Sequence, residues 1–271
     1  MGSKDKLSGV SVVMIAKNEE AKIAAALKAL LWADEIIVID GQSRDRTAEI
    51  ARQFTPHVFE QPWLGFGPQK NVGIDRAAYP WILVVDCDER IGPALRDEIL
   101  RVISAPESGG FEGFEISRRN YLGGRWIRGA GSFPDYQLRL FKRGAARYND
   151  TPVHENLVIR GAVGRLSHPM DHDPGRTIGE HVRRIHFYTD QLVAQVLRKY
   201  GRIRWYHFLL HPFSTFLKLY VLKRGYRDGV AGFTLSSLSG LYSFSKLVKA
   251  WEAQRAKAPA LSQGRAQIFL G

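Results

Sequence analysis

The sequence has 271 residues, 45% of them apolar, which allows one large domain, or one domain and an appendage, with a full core. A single cysteine, Cys87, excludes an internal disulfide framework and a cysteine-based zinc site, so the cell interior is the expected compartment. The net charge of +12 is lopsided: residues 181–271 hold 15 Lys/Arg and 3 Asp/Glu, and residues 1–180 balance to zero. A basic surplus confined to the last third points to a polyanionic partner, whether nucleic acid, an anionic membrane surface or a phosphorylated substrate.

The opening MGSKDKLSG is short and polar with no apolar run behind it, so no secretory signal is expected. VSVVMIA (10–16) has the length and β-branching of a buried strand. KNEEAKIAAALKALLWA follows with Ile23, Leu27, Leu30 and Leu31 at helical spacing and Asn18 as the expected N-cap. EIIVID (35–40) is a second buried strand, SRDRTAEIARQF a helix started by Ser43 or Asp45, HVFE a short strand and GPQKNVGIDRAA a helix. WILVVD (81–86) is another buried strand, and Pro93 opens a helix at its favoured first position. Alternating strands and helices with near-continuous apolar strands mean an α/β unit with a mostly parallel sheet over about residues 8–105.

After APESGG the pattern changes. GFEISRRNYLGGRWI and YQLRLFKRG read as irregular, antiparallel-leaning strands rich in Gly and Arg. From about residue 176 the chain turns helical and basic. HVRRIHFYTDQLVAQVLRKYG reads as one amphipathic helix ending at Gly201. Residues 205–222 are largely apolar, but His207, His211, Pro212 and Lys218 interrupt them, so this stretch reads as lying in a membrane interface, or packed on the protein's own core, rather than spanning. Trp205, Tyr206, Tyr220 and Tyr226 beside Lys and Arg fit headgroup level. AGFTLSSLSGLYSFSKLVKAWEAQ is a second such helix.

The stretch WILVVDCDERIG drives five apolar residues into Asp86, Asp88 and Glu89. In open α/β sheets ligands bind beyond the carboxyl ends of parallel strands. Two carboxylates at i and i+2 across a turn can converge there on one hard divalent cation, Mg2+ or Mn2+, that keeps positions open for phosphate oxygens. Turn or capping carboxylates are the competing explanation. The first strand also ends in polar residues, Lys17, Asn18 and Glu19, and the second in Asp40, followed by Gly41, Ser43, Asp45 and Thr47. Three strand ends carrying acids or amides would face one crevice, which suits a nucleoside diphosphate; Asp40 taken alone fits a turn cap equally well.

Taken together, KNEE, VIDGQSRDRT, GPQKNVGID and VVDCDE resemble the nucleotide-binding half of a family-2 glycosyltransferase with the GT-A fold. FPDYQLRLFKRG, VHEN and KRGYRDG…FSKLVKAWE extend the resemblance over nearly the whole chain. They are most similar to proteins like the heptose β-1,4-glucosyltransferases of the lipopolysaccharide inner core. The resemblance implies a Rossmann-like, mostly parallel sheet sandwiched by helices. It implies a catalytic domain over residues 8–175, with a nucleotide-binding half at about 10–105 and an acceptor half at about 106–175, and a basic helical, membrane-associating appendage over 176–271.

It further implies a UDP-sugar donor and a divalent cation. Asp40 would contact the uridine, with Asn18, Glu19 and Ser43 lining the same pocket. Asp86 would lie by the ribose and metal, and Asp88 would ligate a divalent ion bridging the diphosphate. Lys70 is expected either on a phosphate or base edge or as a solvated helical lysine. Some GT-A enzymes take a third metal ligand from a distant histidine, for which His168 and His172 are the candidates here; satisfied loop histidines are the alternative.

An inverting transferase needs a carboxylate within reach of the acceptor hydroxyl. Glu155 in TPVHENL, 67 residues after Asp88, is the first candidate, with His154 beside it, and Asp135 is the competitor. Arg125, Arg128 and Arg139, with His154, suit an acceptor bearing phosphate or carboxylate, because guanidinium binds such oxyanions bidentately. Tyr121 and Trp126 fit either a sugar-stacking or a core role.

The resulting expectation is an inverting, metal-dependent enzyme working from the cytoplasm at the inner face of the membrane. It would move a sugar, glucose first, from a UDP-sugar to an anionic lipid-linked glycan such as the lipopolysaccharide inner core. Another lipid-linked glycan or a polyprenyl phosphate is the alternative acceptor. A sugar nucleotidyltransferase would need a Gly-rich triphosphate loop that MIAKNEEAK does not provide. Nucleic acid is not expected as a partner, since the C-terminal aromatics form no compact basic–aromatic motif.

Overall fold

The first strand, β1 (Val10–Ala16), is buried along its whole length, and its side chains divide by parity. Val10, Val12, Met14 and Ala16 enter one core with Ile36 and Val38 of β2 (Glu35–Asp40) and Leu83 of β4 (Trp81–Val84). Val13 and Ile15 enter a second core with Ile37, Ile39, Ile82 and Val84. The first core is closed by Ile23, Ala26 and Leu27 of α1 (Glu20–Lys28), Ala51 of α2 (Thr47–Arg52) and Leu95 and Ile99 of α4 (Pro93–Ser104); the second is closed by Ile74 of α3 (Phe66–Ile74). Helices cover both faces, which is why the strands are apolar throughout rather than alternating.

This computed structural model describes residues 9–105, 109–149, 156–175 and 177–257. The chain forms two units, one of residues up to Trp126 with Phe133–Gly175, the other of Ile127–Ser132 with the chain from Arg176 onward. The first unit holds a mixed sheet. β3 (Val58–Glu60), β2, β1 and β4 run parallel in that order. Beyond β4 the sheet reverses: β8 (Asp135–Lys142) is antiparallel to both β4 and β6 (Gly113–Leu122). β6 in turn pairs parallel with β12 (Met170–His172), which pairs with β5 (Glu89–Arg90). β7 (Arg125–Trp126) and β11 (Val163–Arg165) flank β6, while β9 (Ala146–Tyr148) and β10 (Leu157–Ile159) form a separate ribbon. The α/β class is as the sequence indicated, with one parallel block of four strands and a second, smaller one where β6 pairs with β11 and β12.

Local starts differ from the simplest reading. Asn18 does not cap α1; it sits at φ 56°, a left-handed conformation asparagine tolerates, and Glu19 holds the cap position. Likewise α2 begins at Thr47, leaving Ser43 and Asp45 in the loop before it, where their side chains bond to neighbours of the crevice.

The second unit is helical. The expected single helix over 181–201 is two: α5 (Ile178–Gln191), opened by a Thr177–Glu180 capping box, and α6 (Val193–Tyr200). The break at Leu192 delivers that side chain to a small core of Val196, Ile203, Leu247 and Ala250. α7 (Trp205–Leu217) runs into a π turn at Lys218–Leu222, and a 3-10 turn at Gly225–Asp228 leads into α8 (Gly229–Lys257). Gly232 of α8 has no alternative, because a Cβ there would lie 1.9 Å from the Gly225 carbonyl oxygen. Asp228 is 3% exposed, and its two oxygens accept the Arg128 (3.1 Å) and Gly129 (2.6 Å) peptide N–H groups. The KRGYRDG stretch thereby holds residues 127–132 within this unit. No helix among the described residues is long and apolar enough to cross a membrane.

Candidate active site at the carboxyl ends of the parallel strands

Register aligns Ala16 with Asp40, so the loops leaving β1 and β2 emerge side by side. They are laced together. Asp40, 1% exposed, accepts Ser43 N–H at 2.8 Å on Oδ2 and Ser43 Oγ–H at 2.5 Å on Oδ1. Ser43 Oγ accepts the Asn18 N–H, and Asn18 Oδ1 accepts the Arg44 N–H. Thr47 Oγ1 accepts the Glu19 N–H, and Asp45 accepts from Thr47 on one oxygen and Glu20 N–H on the other. Burial would raise the Asp45 carboxyl, but these bonds outweigh it and keep it below its ordinary value. With both oxygens engaged by Ser43, Asp40 ties the loop after β2 to the end of its strand. Asn18, Glu19, Asp40 and Ser43 therefore share one wall.

The end of β4 forms the opposite part. Asp86 gives one oxygen to Lys70 (Nζ 3.2 Å) and the other to Arg139 (Nη2 2.8 Å). Arg139 also reaches Glu89 Oε1 at 2.6 Å, and Glu89 Oε2 accepts the Asp86 N–H at 2.9 Å. Lys70 is 3% exposed, with its ammonium 5.2 Å from the Tyr148 ring centroid. Burial alone would raise the Asp86 carboxyl, but the two cations outweigh it and hold it well below the usual carboxylate range. Burial alone would lower the Arg139 guanidinium, but Glu89 and Asp86 reverse this and push it further up.

The line continues across the antiparallel strands. Arg118 lies 3.5 Å from Glu89 and donates to Asp135 Oδ2 at 2.6 and 2.9 Å. Asn120 Nδ2 and Gln137 Nε2 also donate to Asp135, at 3.1 and 2.9 Å. Asn120 Oδ1 lies 2.7 Å from His172 Nδ1, and His172 Nε2 lies 3.5 Å from Asp88 Oδ2. An amide oxygen only accepts, so Nδ1 is the donor to Asn120 and Nε2 is the ring atom that faces Asp88.

Among the expected metal ligands the structure thus brings His172 to Asp88. Asp86 stands next to them with both oxygens engaged by Lys70 and Arg139. His168 goes elsewhere: its ring and its N–H bond to Glu98 of α4, which accepts the Ser167 N–H too. No group of three or more His, Cys, Asp or Glu among the described residues is placed to hold a metal ion; Asp88 and His172 face each other as a pair 3.5 Å apart.

Arg139, expected on the acceptor, is instead the buried partner of Asp86 and Glu89. Lys70 is not a solvated lysine but part of the same network. Arg125 is exposed on β7, and Arg128 belongs to the helical unit. Asp135 accepts from Arg118, Asn120 and Gln137. Burial would raise its carboxyl, yet Arg118 and these donors leave it lowered, the wrong direction for a general base. Glu155 and His154 lie outside the described residues. Tyr121 donates its hydroxyl to Asp171, and Trp126 packs edge-on to Phe133.

Sequence reasoning assigned no role to Arg118, Asn120 or Glu89. A signal existed: Arg118 and Asn120, like Asp135, Gln137 and Arg139, sit at alternate positions of a strand and so share one face, and Arg118 is the register partner of Asp135.

Known proteins give the arrangement its context. Residues 11–152 match the model of glycosyl transferase family 2. The lipopolysaccharide core biosynthesis glycosyltransferase LpsC of Rhizobium meliloti is 27% identical over 256 residues, spanning 92% of this chain and 94% of that protein. An uncharacterised glycosyltransferase of Rickettsia typhi is 26% identical over 251 residues, 89% of this chain and 86% of its own. Among solved structures, Staphylococcus aureus TarS 1–349 in complex with UDP-GlcNAc covers 92% of both chains at 14% identity and a TM-score of 0.48. The mannosyltransferase PcManGT of Pyrobaculum calidifontis, with GDP-Man and Mn2+, covers 92% of this chain and 75% of its own, also at 14% and 0.48. The structural likenesses are loose and add no weight, but the family match spans more than half of the sequence: the chain belongs to glycosyl transferase family 2 and is a glycosyltransferase.

Proposed function

We propose that the protein transfers a hexose, glucose first among candidates, from a UDP-sugar to a lipid-linked acceptor such as the lipopolysaccharide inner core, with inversion at the anomeric carbon. The observation that carries this reading is the row of charged and polar side chains beyond β4, in which Asp88 and a pre-oriented His172 stand beside an Asp86 neutralised by Lys70 and Arg139. The similarity to LpsC over nearly the whole chain supports the acceptor class. A lipid-linked acceptor would place the reaction at the cytoplasmic face of the membrane.

In this reading the uracil edge meets Asp40, with Asn18, Glu19 and Ser43 around the nucleoside. Asp88 and His172 would hold a divalent cation, Mn2+ or Mg2+, together with the diphosphate of the bound donor. Bound there, the ion would offset charge that builds on the departing UDP. Lys70 and Arg139 keep Asp86 ionised without leaving its charge uncompensated beside a diphosphate. Glu155 takes the proton from the acceptor hydroxyl as that oxygen attacks the anomeric carbon and the bond to the diphosphate breaks. Arg125 and Arg128 meet acceptor phosphates.

The test is to incubate the protein with UDP-[14C]glucose and heptose-terminated inner-core lipopolysaccharide, with Mn2+ or with chelator. Metal-dependent label in the lipopolysaccharide, in a β-linkage by NMR, is the expected product. Label that stays with nucleotide under every condition, or enters the acceptor with retained configuration, contradicts the proposal.

A further inference from the structure

The helical unit leaves one of its surfaces without a partner. On α7, Trp205, Leu209, Leu210, Phe213 and Leu217 are all exposed, Trp205 by 73% and Phe213 by 62%. At 100° per residue these five positions fall within an arc of about 140°, so they form a single apolar stripe along a helix about 20 Å long. Phe208 and Phe216 face inward instead, with Phe208 against Phe244 and Trp251 and Phe216 against Phe233 of α8. The stripe is therefore what remains after α7 has satisfied its own core. Beyond the helix, in the π turn, Val221 and Leu222 are also exposed, by 49% and 76%.

Charge says what covers it. Arg202 and Arg204 precede the stripe, and Lys218, Lys223, Arg224 and Arg227 follow it, all exposed. From Gln191 to Trp251 the sequence contains a single acid, Asp228, and that carboxylate is buried against the Arg128 and Gly129 amides. An apolar stripe with tryptophan at one end, cations at both ends and no exposed acid beside it complements an anionic lipid surface. Acyl chains take the apolar side chains, and lipid phosphates take the guanidinium and ammonium groups. The cations flank the stripe at both ends, where lipid headgroups on either side of an inserted helix can meet them.

We propose that this face of α7 docks the protein on anionic bilayers, with the helix axis in the plane of the interface and Trp205, Leu209 and Phe213 inserted among the acyl chains. Pro212 lies within α7 at an intermediate, not inserted, position, and the helix is too short to span, so the attachment is reversible. The inference gives the lipid-linked-acceptor reading its surface, but its test does not depend on that reading.

Full-length protein is sedimented with vesicles of phosphatidylcholine, or of phosphatidylcholine mixed with phosphatidylglycerol, at low and high salt. Binding is expected on the anionic vesicles alone, weakening as salt screens the cationic rim. The double variant Leu209→Ser/Phe213→Ser should lower the apparent affinity about tenfold or more. Both positions are exposed, so UDP binding measured on the same variant should be unchanged. A blue shift of tryptophan emission on the vesicles, lost in Trp205→Phe, reports insertion directly. Vesicle binding that the double variant retains in full overturns the proposal. So does wild-type protein that ignores anionic vesicles and sediments as a dimer that the variant breaks, which would make a second copy the occupant. Gain of vesicle binding only on truncation after Lys257 would instead assign the face to residues 258–271. Because UDP binding is followed in parallel, failure of docking is distinguishable from failure of the nucleotide site.

Discussion

His172 points its Nε2 at the Asp88 carboxylate across 3.5 Å because Asn120, 2.7 Å from Nδ1, orients the ring. A donor pair oriented this way before any ligand arrives loses little freedom when a cation binds. Replacing His172 by Ala should therefore reduce metal-dependent transfer, and Asn120→Ala, which removes only the orienting bond, should cost about 10–100-fold in metal affinity or activity. His168→Ala serves as the control, since its ring is bound to Glu98; it should leave the metal titration unchanged. Manganese dependence of the transfer rate for the three variants checks this.

The Lys70–Asp86–Arg139–Glu89 group should dominate local stability. Arg139→Met leaves the buried Glu89 and the partly exposed Asp86 without their shared cation, and breaking a buried pair from one side costs about 3–5 kcal/mol. Chemical denaturation of the variant should show a loss of that size. A loss below about 1 kcal/mol would mean that water reaches the site freely.

The same group sets a pH dependence. Lys70 and Arg139 outweigh burial and hold the Asp86 carboxyl below its unfolded value, so its contribution is complete above that value, about pH 4, and falls away as acid lowers the pH below it. At neutral pH Asp86→Asn should melt below wild type, because Lys70 loses the Asp86 charge and Arg139 is left with Glu89 alone. The gap should narrow as pH drops below about 4. Melting temperatures of both proteins between neutrality and acid measure it; a gap that widens on acidification contradicts the assignment.

Much of this was legible in the sequence and some was not, for identifiable reasons. Continuous apolar strands disclosed a sheet covered on both faces, and the polar residues after β1, β2 and β4 marked the loops that the structure lines with hydrogen bonds and ion pairs. Asn18 carried the right polarity for an N-cap, but its amide is used across loops, on the Arg44 N–H, which no local rule reveals. Arg139 looked like an anion-binding arginine because sequence gives charge without burial; only the β8–β4 pairing shows that it is interior. The alternation that joins Arg118 and Asn120 to Asp135 was visible, but it acquires meaning only once β6 and β8 are known to be neighbours. The apolar stretch at 205–222 was correctly read as too interrupted to span, and the structure adds which side of α7 is left uncovered.

Asp228 is expected to govern residues 127–132. Its carboxylate takes two peptide N–H groups in a buried setting, so Asp228→Ala should cost about 1–3 kcal/mol and expose both amides. Hydrogen exchange at Arg128 and Gly129 should accelerate in the variant while exchange in β1 and β2 stays slow. Equal acceleration throughout would mean global rather than local loosening.

The two carboxylates weighed as general base are separable by kinetics. Glu155→Gln should lower kcat by about 10²–10⁴-fold with little change in UDP affinity. Asp135→Asn, which disturbs a carboxylate already held by Arg118, should act mainly on stability. The reverse order would move the base to Asp135.

Calorimetric titration of UDP into wild type and Asp88→Ala, each with Mn2+ and with chelator, tests the central claim most directly. The account predicts metal-dependent binding in wild type and its loss in the variant, with Asp40→Ala weakening UDP under either condition. UDP binding that is indifferent to both Mn2+ and Asp88, or absent from wild type altogether, would contradict it.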